Sequence, residues 1–214
     1  MSDGAAPDPR VAILAQGARE LALESSAEQL ERLLGFLDLL AHWNRSYNLT
    51  AIRDPRGMLT HHLLDSLAVA PYLFGDRVLD VGTGAGLPGL PLAIMNPRLR
   101  FWLLDSNGKK IRFVRQAVIE LGLVNVAPIH NRIESYRPGE NFSTIVVRAV
   151  ASVAEIHAQT ARLLDCPGRL ILMKGRYPGD ELENPALAGL DLAVHPLRVP
   201  FLEGERHLIE IRRE

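Results

Sequence analysis

Apolar residues recur with helical spacing in the first third of the chain. Between residues 10 and 46 they fall on one helical face, with charged residues on the others. The apolar face comprises Leu30, Leu33, Leu34, Leu37, Leu40 and Ala41. Ser26 and Gln29 have the spacing of a capping box, which predicts a helix start. Another helical stretch, "MLTHHLLDSLAVAPYL", follows Pro55, so this whole part of the chain is predicted to be helical.

The pattern changes at Arg77, from where short apolar runs alternate with helical segments. The runs are "RVLDVG", "FWLLD", "VNVAPIH", "STIVVRAV", "GRLILMKG", "DLAVHPLRV" and "RHLIEIRR". This alternation predicts a mostly parallel, seven-stranded α/β sheet with right-handed crossovers. The last two runs are joined by a connector too short for a helix, which predicts an antiparallel hairpin. We expect a flexible tail over residues 1–9, a helical extension over 10–76 and an α/β domain over 77–214, together forming one compact unit.

Composition narrows the class of protein. The hydrophobic content of 47% and the charged content of 23% are ordinary for a globular domain. The net charge is −1, so a polyanionic partner must be met by a local basic patch. The single cysteine excludes an internal disulfide framework and a cysteine-based zinc site. No apolar run reaches the roughly 18 residues of a membrane span, and the N-terminus lacks a signal-peptide pattern. We expect a cytoplasmic protein without a metal or a membrane partner.

A glycine-rich loop follows the first predicted strand, in "LDVGTGAGLPGLPLAI". Gly82, Gly84 and Gly86 permit positive φ and leave room for a ligand near the backbone. A dinucleotide fingerprint would have its third glycine where Leu87 stands. The observed spacing, with Asp80 two residues before the first glycine, instead resembles motif I of S-adenosylmethionine-dependent methyltransferases. A carboxylate there would favour a cationic sulfonium.

Acids at the ends of the next two strands support a nucleoside site. Asp105 ends the second strand about 20 residues after the loop, where an acid accepts from ribose hydroxyls. Its alternative role is the N-cap of the following helix. Ile133 and Glu134 follow the third strand, where such folds contact adenine. Glu134 is alternatively a solvated loop acid.

The motifs that this sequence lacks narrow the choice of the atom that accepts the methyl group. "VVRAVAS" stands where adenine-amine methyltransferases have [ND]-P-P-[YF]. Carbon-5 pyrimidine methylation needs a cysteine nucleophile, and Cys166 lies in a turn before the fifth strand, poorly placed for attack. Hydroxyl methylation needs a base with acid partners, and no acid follows the fourth strand to assist Lys174. An acceptor with an unprotonated lone pair remains, such as guanine N7, which needs direct in-line transfer and no general base.

The chain as a whole resembles the RsmG (GidB) family from about Leu39 to Arg212. The segments that carry the resemblance are "LLAHWNRSYNLTAIRDPRGMLTHHLLDSLAVAPYL", "LDVGTGAGLPGLPLAI", "LLDSNGKKIRFVRQ", "VVRAVASV", "LILMKGRYPGDEL" and "GERHLIEI". The resemblance implies a class I S-adenosylmethionine-dependent methyltransferase fold (Rossmann-like), and methylation of a guanine N7 in 16S rRNA with S-adenosylhomocysteine as product. The cofactor contacts that it implies are Gly82, Leu87, Ile133, Glu134 and Arg148. Val147 departs from the serine usual before that arginine, which removes a hydroxyl contact.

Two basic residues at strand ends are candidates for the chemistry. Arg148 is expected to pair with the methionyl carboxylate of the donor or with an RNA phosphate. Its alternative is a structural ion pair with a helix. Lys174 is expected to face the RNA or the target base, and a structural role is equally open.

Local basic residues predict where RNA binds. One group, Lys109, Lys110, Arg112 and Arg115, lies on the helix after the second strand, and the other, Arg45, Arg53 and Arg56, flanks "NLTAI". Asn44, Asn48, His61 and His62 are candidates for lining the target pocket. Each group also has a structural alternative. The basic group on the helix is alternatively a solvated face, and one of the two histidines is alternatively a core residue. Trp43 and Tyr47, four residues apart, are interpreted as a packing pair rather than a platform for base stacking. We expect a monomer that binds the small ribosomal subunit or its precursor. The alternatives are an NAD-dependent oxidoreductase and a non-catalytic nucleotide-sensing or ribosome-associated protein.

Overall fold

The N-terminal part of the chain consists of helices whose ends follow the sequence signals. The computed structural model describes residues 8–148 and 151–214. Helix α1 spans Pro9–Glu20 and α2 spans Ala27–Tyr47. Ser26 Oγ accepts from the Gln29 N–H at 3.1 Å and Gln29 Oε1 accepts from the Ser26 N–H at 2.9 Å, which confirms the capping box. Residues 1–7 of the expected tail lie outside the described residues, Asp8 is the N-cap of α1, and Pro9 is its first residue.

A third helical stretch runs from residue 55 to residue 67 and changes its winding on the way. Helix α3 spans Pro55–Met58, a π-helical segment spans Leu59–Leu64, and α4 spans Asp65–Leu67. A short 3₁₀ turn follows at Ala70–Tyr72. π-Helical turns inside α-helices are rare and often occur at functional sites. This stretch is called the 55–67 helix below.

The remainder forms one seven-stranded sheet with helices on both faces. Its strands are β1 (Arg77–Val81), β2 (Arg100–Asp105), β3 (Val126–His130), β4 (Phe142–Val147), β5 (Leu164–Lys174), β6 (Asp191–Pro196) and β7 (His207–Arg213). Helices α5 (Gly89–Met95), α6 (Gly108–Glu120), α7 (Val153–Thr160) and α8 (Gly179–Leu182) lie between the strands. The order is β3-β2-β1-β4-β5-β7-β6, parallel except for β7, whose neighbours β5 and β6 both run antiparallel to it. The predicted C-terminal hairpin is confirmed.

The helical extension and the sheet share a hydrophobic core. Phe36 of α2 packs on Phe113 of α6 with ring centroids 6.3 Å apart, and Trp43 packs on the same ring at 5.7 Å. Each of the two fully buried phenylalanines contributes roughly 1.5–3 kcal/mol by its burial. Trp43 also stacks on Tyr47 at 5.1 Å, which confirms their interpretation as a packing pair. The leucine face of α2 is thus an integral part of the core beside the sheet.

The strand order sets where a ligand can bind. Val81 at the end of β1 pairs with Leu104 of β2 on one side and with Val147 of β4 on the other. The chain order reverses between these neighbours, and ligands of open α/β sheets bind beyond the carboxyl ends of the strands at such a switch point. No helix within residues 8–148 or 151–214 is both long and apolar enough to span a bilayer.

Candidate functional site

The glycine loop after β1 has the backbone conformation that its sequence predicts. Gly82, Gly84 and Gly86 have φ values of +69°, +59° and +80°. A Cβ on Gly86 would lie 2.4 Å from Leu90 Cδ1, so this glycine permits close packing. A Cβ on Gly82 would have no atom within 4 Å, so this glycine borders open space. The two positions therefore need glycine for different reasons, and only Gly82 leaves room for a ligand.

Asp80 stabilises the glycine loop through two hydrogen bonds. It is buried, and its Oδ2 accepts from Thr83 Oγ1 at 2.6 Å and from the Gly89 N–H at 2.8 Å. Burial raises the pKa of the Asp80 carboxyl to about 6. Its Oδ1 is buried and has no hydrogen-bond partner among the described residues. Asp80 therefore fixes the loop to the start of α5 with one oxygen, and its action on a sulfonium stays a prediction.

Asp105 joins the glycine loop to the start of α6. Its Oδ2 accepts from the Gly84 N–H at 2.9 Å and its Oδ1 accepts from the Asn107 N–H at 2.8 Å. The N-cap of α6 is Asn107, whose Oδ1 accepts from the Lys109 N–H at 3.0 Å. The interpretation of Asp105 as that cap is therefore wrong, because the capping bond belongs to the residue two positions later.

A cavity of about 160 Å³ opens between this loop and the end of β3. Its lining residues are Val81, Gly82, Leu104, Asp105, Ser106, Asn131, Arg132, Ile133 and Glu134. The structure thus brings together four residues that the sequence places at a cofactor site, Gly82, Asp105, Ile133 and Glu134. Leu87 is buried in the core and does not line this cavity, so its contact with a cofactor stays a prediction. This space is called the β1–β2 cavity below.

A second cavity, of about 410 Å³, lies beyond the ends of β4 and β5. It is lined by Ile52, His61, His62, Asp65, Arg148, Met173, Lys174, Gly175, Leu197, Arg206 and His207. It is called the β4–β5 cavity below. Gly82 and Arg148 directly follow Val81 and Val147, which are register partners on adjacent strands. The two cavities therefore lie on either side of the switch point.

Arg148 is held at the wall of the β4–β5 cavity by the 55–67 helix. Its Nη1 donates to the His61 carbonyl at 3.4 Å and lies 3.8 Å from Asp65 Oδ2. Burial lowers the pKa of the Arg148 guanidinium from its ordinary value. This arrangement is the helix ion pair that the sequence left open, and binding of a ligand carboxylate or phosphate by Arg148 stays a prediction.

Asp65 and Arg206 complete this wall, and the sequence reasoning assigned neither a role. Arg206 Nε donates to Asp65 Oδ1 at 2.8 Å, across 141 residues of chain. Arg206 Nη2 lies 3.5 Å from His61 Nδ1. Both residues occur in segments that carry the family resemblance, "HLLDSL" and "GERHLIEI". Their place in these segments was the one feature of the sequence that could have indicated a role, since no spacing rule connects positions so far apart.

Lys174 is engaged by protein groups. Its Nζ donates to both Glu181 carboxylate oxygens at 2.9 Å and to the Ala151 carbonyl at 2.8 Å. Glu181 Oε2 also accepts from the Val153 N–H at 2.8 Å, so the pair ties β5 to the start of α7. The lysine side chain is 9% exposed. The structure thus shows the structural alternative, and a role of Lys174 toward RNA stays a prediction.

Two candidates for the target pocket, Asn44 and His62, contact Thr50 in the loop after α2. Asn44 is buried; its Nδ2 donates to the Thr50 carbonyl and its Oδ1 accepts from the Thr50 N–H, both at 2.9 Å. His62 is buried and its Nε2 lies 2.9 Å from Thr50 Oγ1, so one of the two histidines is a core residue, although its buried Nδ1 has no hydrogen-bond partner among the described residues. Burial, with a smaller effect of Arg148, lowers the pKa of His62 to about 4. Both His61 and His62 line the β4–β5 cavity.

The candidates for RNA binding lie on the surface of the protein. Arg45, Asn48 and Arg53 are exposed, and Arg53 Nη2 donates to Asn48 Oδ1 at 3.1 Å. Lys109 and Arg112 are exposed on α6, as is Arg115, and Lys110 is partly exposed. Lys110 Nζ lies 3.9 Å from the position that a Cβ on Gly84 would take, so α6 begins beside the glycine loop.

The sheet order, the glycine loop and the acid after β2 define a class I S-adenosylmethionine-dependent methyltransferase, as predicted. The fold is similar to that of magnesium protoporphyrin IX methyltransferase from Synechocystis PCC 6803 with bound SAH, with a TM-score of 0.59, 17% identity, and 88% of this chain and 100% of that chain covered. It is also similar to TrmN from Thermus thermophilus, with a TM-score of 0.57, 18% identity, and 80% of this chain and 53% of that chain covered.

The chain belongs to the GidB family, rRNA small subunit methyltransferase G, whose model matches residues 29–209. It is 54% identical over 200 residues to the ribosomal RNA small subunit methyltransferase G of Methylococcus capsulatus, with 94% of this chain and 97% of the relative covered. The Coxiella burnetii (strain RSA 331) protein of the same name is 47% identical over 199 residues, with 93% and 96% covered. The predicted family is confirmed.

Proposed function

We propose that this protein transfers a methyl group from S-adenosylmethionine to N7 of a guanine in 16S ribosomal RNA. One observation carries the proposal beyond family membership: the two cavities lie at the ends of adjacent strands, on either side of the paired residues Val81 and Val147. A donor in one cavity and a base in the other would meet at this switch point.

The β1–β2 cavity has the chemistry that the donor requires. Gly82 leaves space beside its backbone that a Cβ would fill, and Ile133 supplies an apolar wall. Each Asp105 oxygen accepts one backbone N–H and retains a lone pair for a ribose hydroxyl. When bound, S-adenosylmethionine supplies a methyl group made electrophilic by the positive sulfur. Residues of the cavity would hold and orient the donor, with its adenine against Ile133 and Glu134.

The β4–β5 cavity is large enough to hold a base, and it is lined by basic and apolar side chains and by the carboxylate of Asp65. Guanine N7 has an unprotonated lone pair, so its methylation needs alignment and exclusion of water rather than a general base. Arg148 directly follows β4 and lines this cavity, and its guanidinium would bind an anionic group of either substrate. Within the described residues Lys174 is paired with Glu181 and one oxygen of Asp65 is paired with Arg206, which agrees with positioning roles.

The RNA would reach this cavity along the basic surface. Phosphate contacts from Lys109, Lys110 and Arg112 on one side, and from Arg45 and Arg53 on the other, would position it without specifying its sequence. In A-form RNA, N7 faces a deep and narrow major groove that side chains do not enter. The target guanine must therefore lie in a loop or another accessible segment, and methyl transfer to a perfect duplex is expected to be poor.

The proposal is tested with small subunits and 16S rRNA from a strain that lacks this gene. The protein with tritiated S-adenosylmethionine should label this RNA, and mass mapping should find one N7-methylated guanine. Gly82→Asp, which places a charged side chain in the donor space, serves as the inactive control. Tight donor binding without transfer to either substrate would instead indicate a nucleotide-sensing or ribosome-associated protein. Binding of NAD in place of S-adenosylmethionine would contradict the cofactor assignment.

The same preparation addresses the state of the protein. We propose a monomer that acts in the cytoplasm on the small subunit or its precursor, and that needs no metal because the acceptor carries a free lone pair. Sedimentation of the protein alone and with RNA checks the first point. A stable dimer in both samples would contradict it.

A further inference from the structure

Only one of the two carboxylate oxygens of Asp65 accepts a hydrogen bond within the described residues. Its side chain is 8% exposed, and its Oδ1 accepts from Arg206 Nε at 2.8 Å. Its Oδ2 lies 3.8 Å from Arg148 Nη1, beyond hydrogen-bond distance, and makes no hydrogen bond within the described parts of the chain. Asp65 lines the β4–β5 cavity, so this oxygen is available to an occupant.

The surroundings of Asp65 place hydrogen-bond donors beside this acceptor. Arg148 and Arg206 flank the carboxylate, and Arg206 also approaches His61 Nδ1 at 3.5 Å. A buried carboxylate is costly unless cations and hydrogen bonds compensate for the lost water. The two guanidinium groups offset that cost, and a ligand that donates to Oδ2 would complete the shell. The wall therefore presents an acceptor next to donors.

A carboxylate acceptor beside arginine donors complements the hydrogen-bonding edge of guanine. Guanine presents an acceptor, O6, beside two donors, N1–H and the N2 amino group. Adenine presents an amino donor in place of O6 and an acceptor in place of N1–H. An arginine beside a carboxylate therefore complements guanine and meets adenine with like groups facing each other.

The location of Asp65 agrees with the orientation that N7 methylation requires. N7 lies on the opposite side of the purine from the N1 and N2 donors. Gly82 follows β1, whereas Asp65 is bonded to Arg206 immediately before β7, two strands beyond β4. A base whose N7 faces the β1–β2 cavity therefore turns its donor edge away from that cavity, toward the side of Asp65.

We infer that Asp65 is the specificity-determining residue for the target base and accepts hydrogen bonds from N1–H and the N2 amino group of guanine, with Arg206 orienting its carboxylate. This inference rests on the proposed function, since it assigns the β4–β5 cavity to the target base. Asp65 forms and breaks no bond in methyl transfer. It selects the base and sets its orientation.

Removal of the N2 amino group from the substrate tests the inference without altering the protein. Two 16S rRNA fragments are prepared by ligation, with guanosine or inosine at the position that mass mapping identifies. The unaltered protein should methylate the inosine RNA with kcat/KM about tenfold lower, because one hydrogen bond to a charged acceptor is missing. In Asp65→Asn the ratio between the two RNAs should fall to near one. Glu205→Gln, which removes an exposed charge next to Arg206, should keep the tenfold ratio.

A binding measurement separates failure of this inference from failure of the proposed function. Protein saturated with S-adenosylhomocysteine is titrated with GMP, IMP and AMP in a calorimeter. GMP should bind about tenfold more tightly than IMP and by a larger factor than AMP, and Asp65→Asn should bind GMP and IMP alike. This holds whether or not any RNA is methylated.

Two results would overturn the inference. One is equal use of guanosine and inosine by the unaltered protein, and the other is a preference that Asp65→Asn retains. If no RNA is methylated, the proposed function fails and the mononucleotide titration alone decides about Asp65. The thermal unfolding midpoint of Asp65→Asn is measured alongside. Because both base comparisons are ratios within one variant, a loss of folded protein does not imitate the expected result.

Discussion

Asp105 Oδ2 accepts a hydrogen bond from the Gly84 N–H at 2.9 Å, so the acid that ends β2 holds the glycine loop that follows β1. The same carboxylate accepts the Asn107 N–H through Oδ1 at 2.8 Å. The two residues that the sequence assigns separately to one cofactor are therefore parts of a single structure. Asp105 shapes the β1–β2 cavity as well as lining it.

Asp105→Asn is expected to weaken donor binding. An amide offers one accepting oxygen where the carboxylate offers two, so one of the two backbone N–H groups loses its partner. Loss of one such bond costs roughly 1–3 kcal/mol, which predicts roughly 5- to 140-fold weaker binding of S-adenosylhomocysteine in a calorimeter if the whole cost falls on the donor site. Asp76→Asn removes an exposed carboxylate before β1 and should bind like the unaltered protein. Equal affinity in all three proteins would contradict the role given to Asp105.

Gly82→Ala is expected to reduce donor affinity without a clash inside the protein. The added methyl group meets no atom within 4 Å and would occupy the space proposed for the donor. The φ of +69° adds a strain of roughly 1–2 kcal/mol to the folded state.

Gly122→Ala is the matched control for that substitution. Gly122 has a φ of +62°, its added Cβ also meets nothing within 4 Å, and it lies after α6, outside the lining of both cavities. The two variants should lose similar stability in thermal unfolding, and only Gly82→Ala should lose affinity for S-adenosylhomocysteine. A similar loss of affinity in both would mean that backbone strain, and not occupied space, is the cause.

His62 is expected to make the protein less stable in mild acid. Burial lowers the pKa of His62 from 6.5 to about 4, so between these values the unfolded chain binds a proton that the folded protein does not. Its contribution to stability is complete above pH 6.5 and decreases as the pH falls toward 4. The loss between pH 7 and pH 5 is about 2 kcal/mol.

Urea unfolding at pH 7 and pH 5 measures this loss. His62→Gln keeps a neutral polar group for Thr50 and cannot take up the proton, so its stability should depend less on pH by about that amount. His42→Gln, on the exposed face of α2, reports any general effect of replacing an imidazole. If His62→Gln and the unaltered protein respond alike to pH, this assignment is wrong.

Lys109 and Lys110 are expected to contact RNA phosphates. Each phosphate contact with single-stranded RNA contributes roughly 0.7 to the slope of log affinity against log salt. The double substitution of both lysines by glutamine should therefore lower that slope by about 1.4. The measurement is filter binding of a 16S rRNA fragment at several salt concentrations. Substitution of Arg19 and Arg98, which are exposed on α1 and before β2, should leave the slope unchanged.

The local sequence pattern was sufficient to predict the helices, the strands and the glycine loop of the proposed cofactor site. Alternation of apolar runs and helices predicted the sheet and its final hairpin, because periodicity reflects which face of each element is buried. Glycines at fixed offsets after β1 predicted the loop, since Gly82 and Gly86 both require positive φ. The π-helical segment before Asp65 had no such signal, as its residues suit an α-helix equally well.

The sequence by itself thus determined the helices and strands, the glycine loop and the acid after β2, because each depends on residues close together in the chain. Tertiary structure alone decided which groups Asp65, Arg148, Lys174 and Arg206 contact. Asp65 and Arg206 meet across 141 residues, brought together by the order of β4, β5 and β7 and by the 55–67 helix packed over their ends. Charged side chains buried at such a junction must pair with whichever groups the fold places beside them, and that choice is a property of the packed sheet.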